Sequence, residues 1–162
     1  MNPVAPEVVD GQQTAYIGIG ANLGDAAAAV RAAVLSIAAM PQVQLLRQSA
    51  LYGSAPVDAG GADYVNAVVQ VGTTLTPRAL LGALQAIEND AGRTRTYRNA
   101  PRTLDLDVLL YGTLVQDDPE LTLPHPRMWQ RAFVLLPLAE IAPSLVSAAQ
   151  CSAVQQQAVW KL

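Results

Sequence analysis

The sequence predicts a mixed α/β domain of the α+β sandwich class, and three observations predict it. The 162 residues are 51% hydrophobic and only 14% charged, which suits one domain with a packed core. Several stretches alternate apolar and polar residues at period two, the mark of strands with one buried face. Others repeat at helical spacing, and the two kinds follow in the order strand, helix, strand, strand, helix, strand.

Residues 1–13 mix Pro, Gly, Asp and Gln without a period and read as a flexible leader, so the single domain is expected to span 14–162. A first strand covers 14–21, with Ala15, Ile17 and Ile19 on one face. Gly18-Ile-Gly-Ala-Asn-Leu-Gly-Asp25 then turns the chain into a helix. Its glycine spacing does not fit a dinucleotide fingerprint, and the Gly-Lys-Ser/Thr of a phosphate-binding P-loop is missing. The segment reads as a tight turn with Asp25 as the helix cap. The helix, 26–39, carries Val30, Val34 and Ile37 on one side and stops before Pro41.

A second strand is expected over 43–52, followed by a loop over 53–63 that is too long for a simple hairpin and so a candidate functional segment. The third strand, 64–73, sorts Val65, Ala67, Val69 and Val71 from Tyr64, Asn66, Val68 and Gln70. Thr76-Pro77 starts the second helix, Leu80, Leu81, Leu84 and Ile87 form its apolar stripe, and Gly92 ends it. The fourth strand covers 103–111, with Leu104, Leu106, Val108 and Leu110 expected on one face. This order is that of the ferredoxin-like βαββαβ core, with both helices on one face of the sheet. A C-terminal extension of short strand and helices completes the chain. It comprises an extended segment at 121–126, a helix over 128–141 broken at Pro137, and a weak terminal helix over 152–162.

The run from Arg93 to Gly112 carries the chemistry. Four of the nine arginines, Arg93, Arg95, Arg98 and Arg102, fall within ten residues and are followed by Asp105 and Asp107. At period two the aspartates share a strand face about 7 Å apart. Two carboxylates side by side repel, and they call for a counter-charge, either arginine or a divalent metal. Paired carboxylates beside an arginine-rich loop suit the handling of polyphosphate.

Composition excludes other classes. A net charge of −3 and a pI near 4.9 argue against a nucleic-acid surface, which needs a broad basic field. With 5% aromatic residues the chain also lacks the stacking platform of an RNA reader. The one cysteine, Cys151, precludes an internal disulfide or a cysteine metal cage. No stretch approaches a membrane span and no signal pattern opens the chain, so a cytoplasmic location is expected, with no membrane partner. A ferredoxin-like regulatory module that binds a small ligand without catalysis is the alternative, although such a module has no need of paired aspartates beside four arginines.

Five collinear motifs go further. They are Tyr-Ile-Gly-Ile-Gly-Ala-Asn-Leu-Gly (16–24), Asp-Tyr-Val-Asn-Ala (63–67), Pro-Arg-Thr-Leu-Asp-Leu-Asp (101–107), Leu-Pro-His-Pro-Arg-Met (123–128) and Arg-Ala-Phe-Val-Leu-Leu-Pro-Leu-Ala-Glu-Ile (131–141). Through them the chain resembles the 6-hydroxymethyl-7,8-dihydropterin pyrophosphokinase family, which moves diphosphate from ATP to a pterin alcohol in folate biosynthesis.

The resemblance implies a monomer with ATP and the pterin as substrates, two Mg²⁺ ions, and an arginine-bearing loop that closes over the nucleotide. It implies metal ligation by Asp105 and Asp107, and catalytic roles for Arg93, Arg102 and the two aspartates. ATP contacts would come from Gln85, Glu88, Arg95, Arg98, Arg102, Val108, Thr122, His125 and Arg131. The pterin would meet Ser54, Ala55, Val57, Tyr64, Asn66, Asp105 and Phe133. The chain departs from the family pattern at Asn99, where some members carry tryptophan, at Glu120, where an arginine occurs, and at Pro126, where a tyrosine occurs.

Overall fold

The computed structural model describes residues 8–56, 61–92 and 104–162. The expectations for Val57 and for Arg93, Arg95, Arg98, Asn99 and Arg102 lie outside the described residues. The elements follow as β1 (Val8–Ala21), α1 (Ala26–Ala38), β2 (Val43–Gln48), β3 (Tyr52–Ser54), β4 (Tyr64–Leu75) and α2 (Pro77–Gly92). Then come β5 (Asp105–Tyr111), β6 (Gln116–Asp117), β7 (Thr122–Leu123), α3 (Ala132–Ile141), α4 (Ala148–Ala153) and β8 (Val159–Lys161).

The result is a mixed α/β arrangement around one antiparallel sheet. Its strand order is β5-β1-β4-β3-β8, with β2 pairing the same central β4. The alternation in β1 and β4 directs Ile17, Ile19, Val69 and Val71 into a core shared with Val30 and Ile37 of α1 and Leu80 and Leu84 of α2. Both helices therefore lie on one face. Asp25 caps α1, its carboxylate accepting from the Ala28 N–H at 3.0 Å. The opposite face is covered by the C-terminal extension, in which Leu135 and Leu138 of α3 pack with Val68 and Leu109. β6 and β7 pair separately as a small ribbon.

Five details differ from the sequence expectation, each for a tertiary reason. β1 begins at Val8, inside the expected leader, with Gly11 at φ 73 taking the irregularity between Val8 and Gln13. The second strand is split into β2 and β3, because Ser49 turns inward to bond β4: its Oγ accepts from the Val68 N–H at 3.0 Å. In β5 a bulge against Tyr16 and Ile17 places Leu109 in the α3 core and Leu110 beside it, so Leu110 does not share the face of Leu106 and Val108. The helix expected over 128–141 is a 3₁₀ turn at Met128–Gln130, an extended Arg131 and then α3, which runs unbroken through Pro137, where burial of Val134, Leu135, Pro137 and Leu138 offsets the missing backbone bond. The expected terminal helix is instead α4 followed by β8, which pairs with the main chain of β3 along the sheet.

Candidate active site

The face of the sheet away from α1 and α2 is open at one end of the central strands. In β5, Asp105 and Asp107 are exposed while Leu106 and Val108 are buried, the alternation that period two demands. Across the ladder, Asp107 stands opposite Gly18 and Asp105 opposite Gly20. On the other side of β1, Gly20 stands opposite Asn66 and Gly18 opposite Val68. The middle strand thus presents no side chain beside Asp105, Asp107 and Asn66. A Cβ on Gly20 would come within 3.3 Å of Asn66 Oδ1, and one on Gly18 within 3.4 Å of the Leu109 side chain. The two glycines form the floor of a cleft of about 410 Å³.

Its walls collect residues far apart in sequence. Ser54, Ala55 and Pro56 come from the end of β3, Tyr64 and Asn66 from β4, Asp105 and Asp107 from β5, and Arg131 and Phe133 from the start of α3. Asn66 is 3% exposed, and its amide nitrogen donates to Ser54 Oγ at 2.8 Å and to Tyr52 O at 3.4 Å. That leaves its carbonyl oxygen toward Gly20 and the cleft, an acceptor for a donor-bearing ligand edge. The Arg131 guanidinium carbon lies 5.4 Å from the Phe133 ring centroid, within cation–π range, so the ring and the charge are held together at one wall.

His125 lies beside this site and lines none of its walls. Its Nδ1 accepts from the Arg127 N–H at 3.2 Å, so the neutral ring carries its proton on Nε2. Burial lowers its pKa from the ordinary imidazole value; the Asp107 charge opposes this, and the Arg131 and Arg127 charges add to it.

The expected pterin residues Ser54, Ala55, Tyr64, Asn66, Asp105 and Phe133 therefore meet in one cleft, together with Asp107 and Arg131. Gln85, Glu88, Val108, Thr122 and His125 do not line it. Gln85 is exposed on α2, and the Glu88 carboxylate accepts from the Leu106 N–H at 2.8 Å. Val108 has its side chain in the core against α1 and α2, so its main chain is what a ligand could reach. Thr122 donates its hydroxyl to Asp118 O at 3.1 Å. Glu120, where the family pattern has an arginine, pairs with Arg78 at 3.1 Å.

Sequence reasoning passed over Gly18, Gly20, Asn22, Pro56 and Leu109, all of which line the cleft. The available signal was Gly18-Ile-Gly20, two glycines at strand period flanked by apolar residues. Among the described residues no three His, Cys, Asp or Glu side chains gather as a metal site. Asp105 and Asp107 alone could hold a hard divalent cation, leaving most of its positions to other oxygens. Among the described residues no helix is long and apolar enough to cross a membrane.

Fold and cleft together define the class, a small α/β protein with paired carboxylates and an amide at a cleft on its central strands. The sequence profile of the family described as 7,8-dihydro-6-hydroxymethylpterin-pyrophosphokinase (HPPK) matches residues 16–143, and the chain belongs to that family. It is 46% identical over 136 residues to the 2-amino-4-hydroxy-6-hydroxymethyldihydropteridine pyrophosphokinase of Pseudomonas aeruginosa, covering 82% of this chain and 83% of that one. To the enzyme of that name from Bacillus subtilis it is 40% identical over 150 residues, 91% of this chain and 90% of the other.

Solved structures agree on the fold. Wild-type HPPK-DHPS of Plasmodium falciparum with pterin and p-hydroxybenzoate matches 82% of this chain at a TM-score of 0.62 and 14% identity. An HPPK-DHPS in complex with substrates matches 90% at 0.64 and 13% identity. The chain spans 40% and 43% of the length of those two proteins.

Proposed function

We propose that this chain transfers the pyrophosphate of ATP to the hydroxymethyl group of 6-hydroxymethyl-7,8-dihydropterin, releasing AMP, as a step of folate biosynthesis. Membership of the pyrophosphokinase family supports the reaction class. The observation that carries the reading is the row Asp105–Gly20–Asn66, which sets a carboxylate and an amide acceptor on either side of an open floor. A pterin is flat and has a guanine-like edge with donors that Asn66 Oδ1 can accept. Tyr64 and Phe133 supply aromatic faces at the walls, and Ser54 and Ala55 close the loop side.

The hydroxymethyl oxygen attacks the β-phosphorus of ATP in line. The new O–P bond forms as the bond from that phosphorus to the oxygen bridging the α-phosphate breaks, and AMP leaves. Asp105 and Asp107 fit Mg²⁺, which takes few protein oxygens and keeps places for phosphate and water; both open onto a cleft whose facing positions are glycine. Two such ions, when bound, neutralise phosphate charge and lower the pKa of the attacking hydroxyl. Arg131 adds a fixed guanidinium at the wall, and Arg93, Arg95, Arg98 and Arg102 are assigned to gripping the phosphates, with Arg93 and Arg102 acting in the transition state. Gln85, Glu88, Val108, Thr122 and His125, none of which lines the cleft, are assigned to the nucleotide.

The strand order β5-β1-β4-β2, with α1 and α2 on one face, is read as the ferredoxin-like core. The protein is taken as a cytoplasmic monomer. A non-catalytic regulatory module is not favoured, since the family is one of enzymes. A coupled assay of AMP release with ATP, Mg²⁺ and the hydroxymethyl pterin tests the proposal; pterin binding with no AMP formed would overturn it.

A further inference from the structure

The C-terminal segment after α4 lies beyond the residues matched by the family profile, which end at 143. It nevertheless touches both walls of the cleft. Gln157 Oε1 accepts from the Ala132 N–H at 2.9 Å, and its Nε2 donates to Gln130 O at 2.8 Å. Ala132 opens α3 between the cleft residues Arg131 and Phe133, and its N–H is one of the helix-terminal donors that need a partner from outside the helix. Arg131, at the cap position, makes no side-chain cap bond, so Gln157 caps α3 from 25 residues away. The next residue reaches the other wall: Ala158 O accepts from the Ala55 N–H at 3.2 Å, and Val159 pairs with Ser54 in the ladder.

Between these walls runs an open gap of about 620 Å³, lined by Ser54 and Ala55 on one side and Arg131 and Phe133 on the other. Gln157, Ala158 and Val159 line the same gap, and the Gln157 and Ala158 bonds bridge its two walls. Trp160 fixes the register of this strap, for a Cβ on Gly53 would lie 2.4 Å from its indole. We infer that Gln157 is a positioning residue for pterin binding, holding the α3 wall at its working distance from the Ser54–Ala55 wall. The inference rests on the pterin reading above.

A loosened wall must be ordered when the ligand binds, which weakens binding, yet the same complex forms once the ligand is bound. Gln157→Ala is therefore expected to raise the pterin KM about fivefold or more and to leave kcat within about twofold. Gln157 is exposed, so the fold should survive, as circular dichroism would show. The near-isosteric Gln157→Glu keeps an acceptor for the Ala132 N–H but sets a carboxylate oxygen against Gln130 O in place of the donor, and is expected to raise KM by about twofold or more; it decides the matter if the alanine variant fails to fold. A stability role alone would lower kcat with the active fraction and leave KM unmoved. That outcome, or an equal KM rise in a Gln156→Ala control, overturns the inference. Absence of AMP release by the wild-type enzyme would instead overturn the reading of function.

Discussion

The Glu88 carboxylate accepts the Leu106 backbone N–H at 2.8 Å, joining α2 to the strand that carries both aspartates. Among the described residues β5 pairs with β1 alone, so its outward N–H groups must find partners off the sheet. Glu88→Ala is expected to destabilise the fold by about 1.5–3 kcal/mol, the range for a hydrogen bond to a charged group. Glu88→Gln keeps an acceptor oxygen and should cost less. Urea denaturation of the three proteins checks the ranking, and equal midpoints would show that the bond contributes nothing.

Asp107→Ala is expected to lower turnover by about two orders of magnitude or more while the melting temperature stays near wild type. The carboxylate is exposed at the cleft and its strand neighbours Leu106 and Val108 carry the packing. Steady-state AMP release beside a thermal melt measures both; near-normal turnover would overturn the proposal that Asp107 holds a metal.

Gly20→Ala separates folding from function. Gly20 has no positive φ, so alanine fits the backbone and lowers the entropy of the unfolded chain, worth about 0.4–1 kcal/mol in favour of folding. Its methyl would press on Asn66 Oδ1, the atom assigned to the pterin edge. Pterin affinity is expected to fall about tenfold, near 1.4 kcal/mol, with stability unchanged or raised. Titration of pterin fluorescence reads the affinity, and wild-type binding would show that the floor has room to spare.

Tyr52 gives a pH dependence. It is buried, and its hydroxyl donates to Glu140 Oε1 at 2.6 Å. Burial, the hydrogen bond and the Glu140 charge together raise its pKa well above the ordinary 10.0. With the folded pKa above the unfolded one, the folded state holds the proton more tightly. The stability it contributes is fully present below pH 10 and is lost as pH rises from there toward the folded value. Tyr52→Phe should lower stability at neutral pH and flatten the alkaline decline in a pH series of denaturation midpoints. An unchanged slope would free Tyr52 of that role.

Much of this protein was legible in local pattern. Period-two runs in β1 and β4 and helical stripes in α1 and α2 specify which faces are buried, as Ile17, Val69 and Leu80 show, although Leu81 of the expected α2 stripe is only half-buried. The paired aspartates follow from the same rule, as strand geometry puts Asp105 and Asp107 on one side whatever the rest of the chain does. What local pattern could not supply is anything settled between distant segments. The bulge that turns Leu110 to the α3 face depends on pairing with Tyr16 and Ile17, and Pro137 stays helical because the sheet buries that helix. The C-terminal residues become a strand because β3 offers its main chain to them. The cleft itself belongs to the tertiary structure, for Gly18 and Gly20 become its floor only when Asp105, Asp107 and Asn66 stand beside them in the ladder. Alternation is written residue by residue, whereas register and wall spacing arise from contacts between segments tens of residues apart.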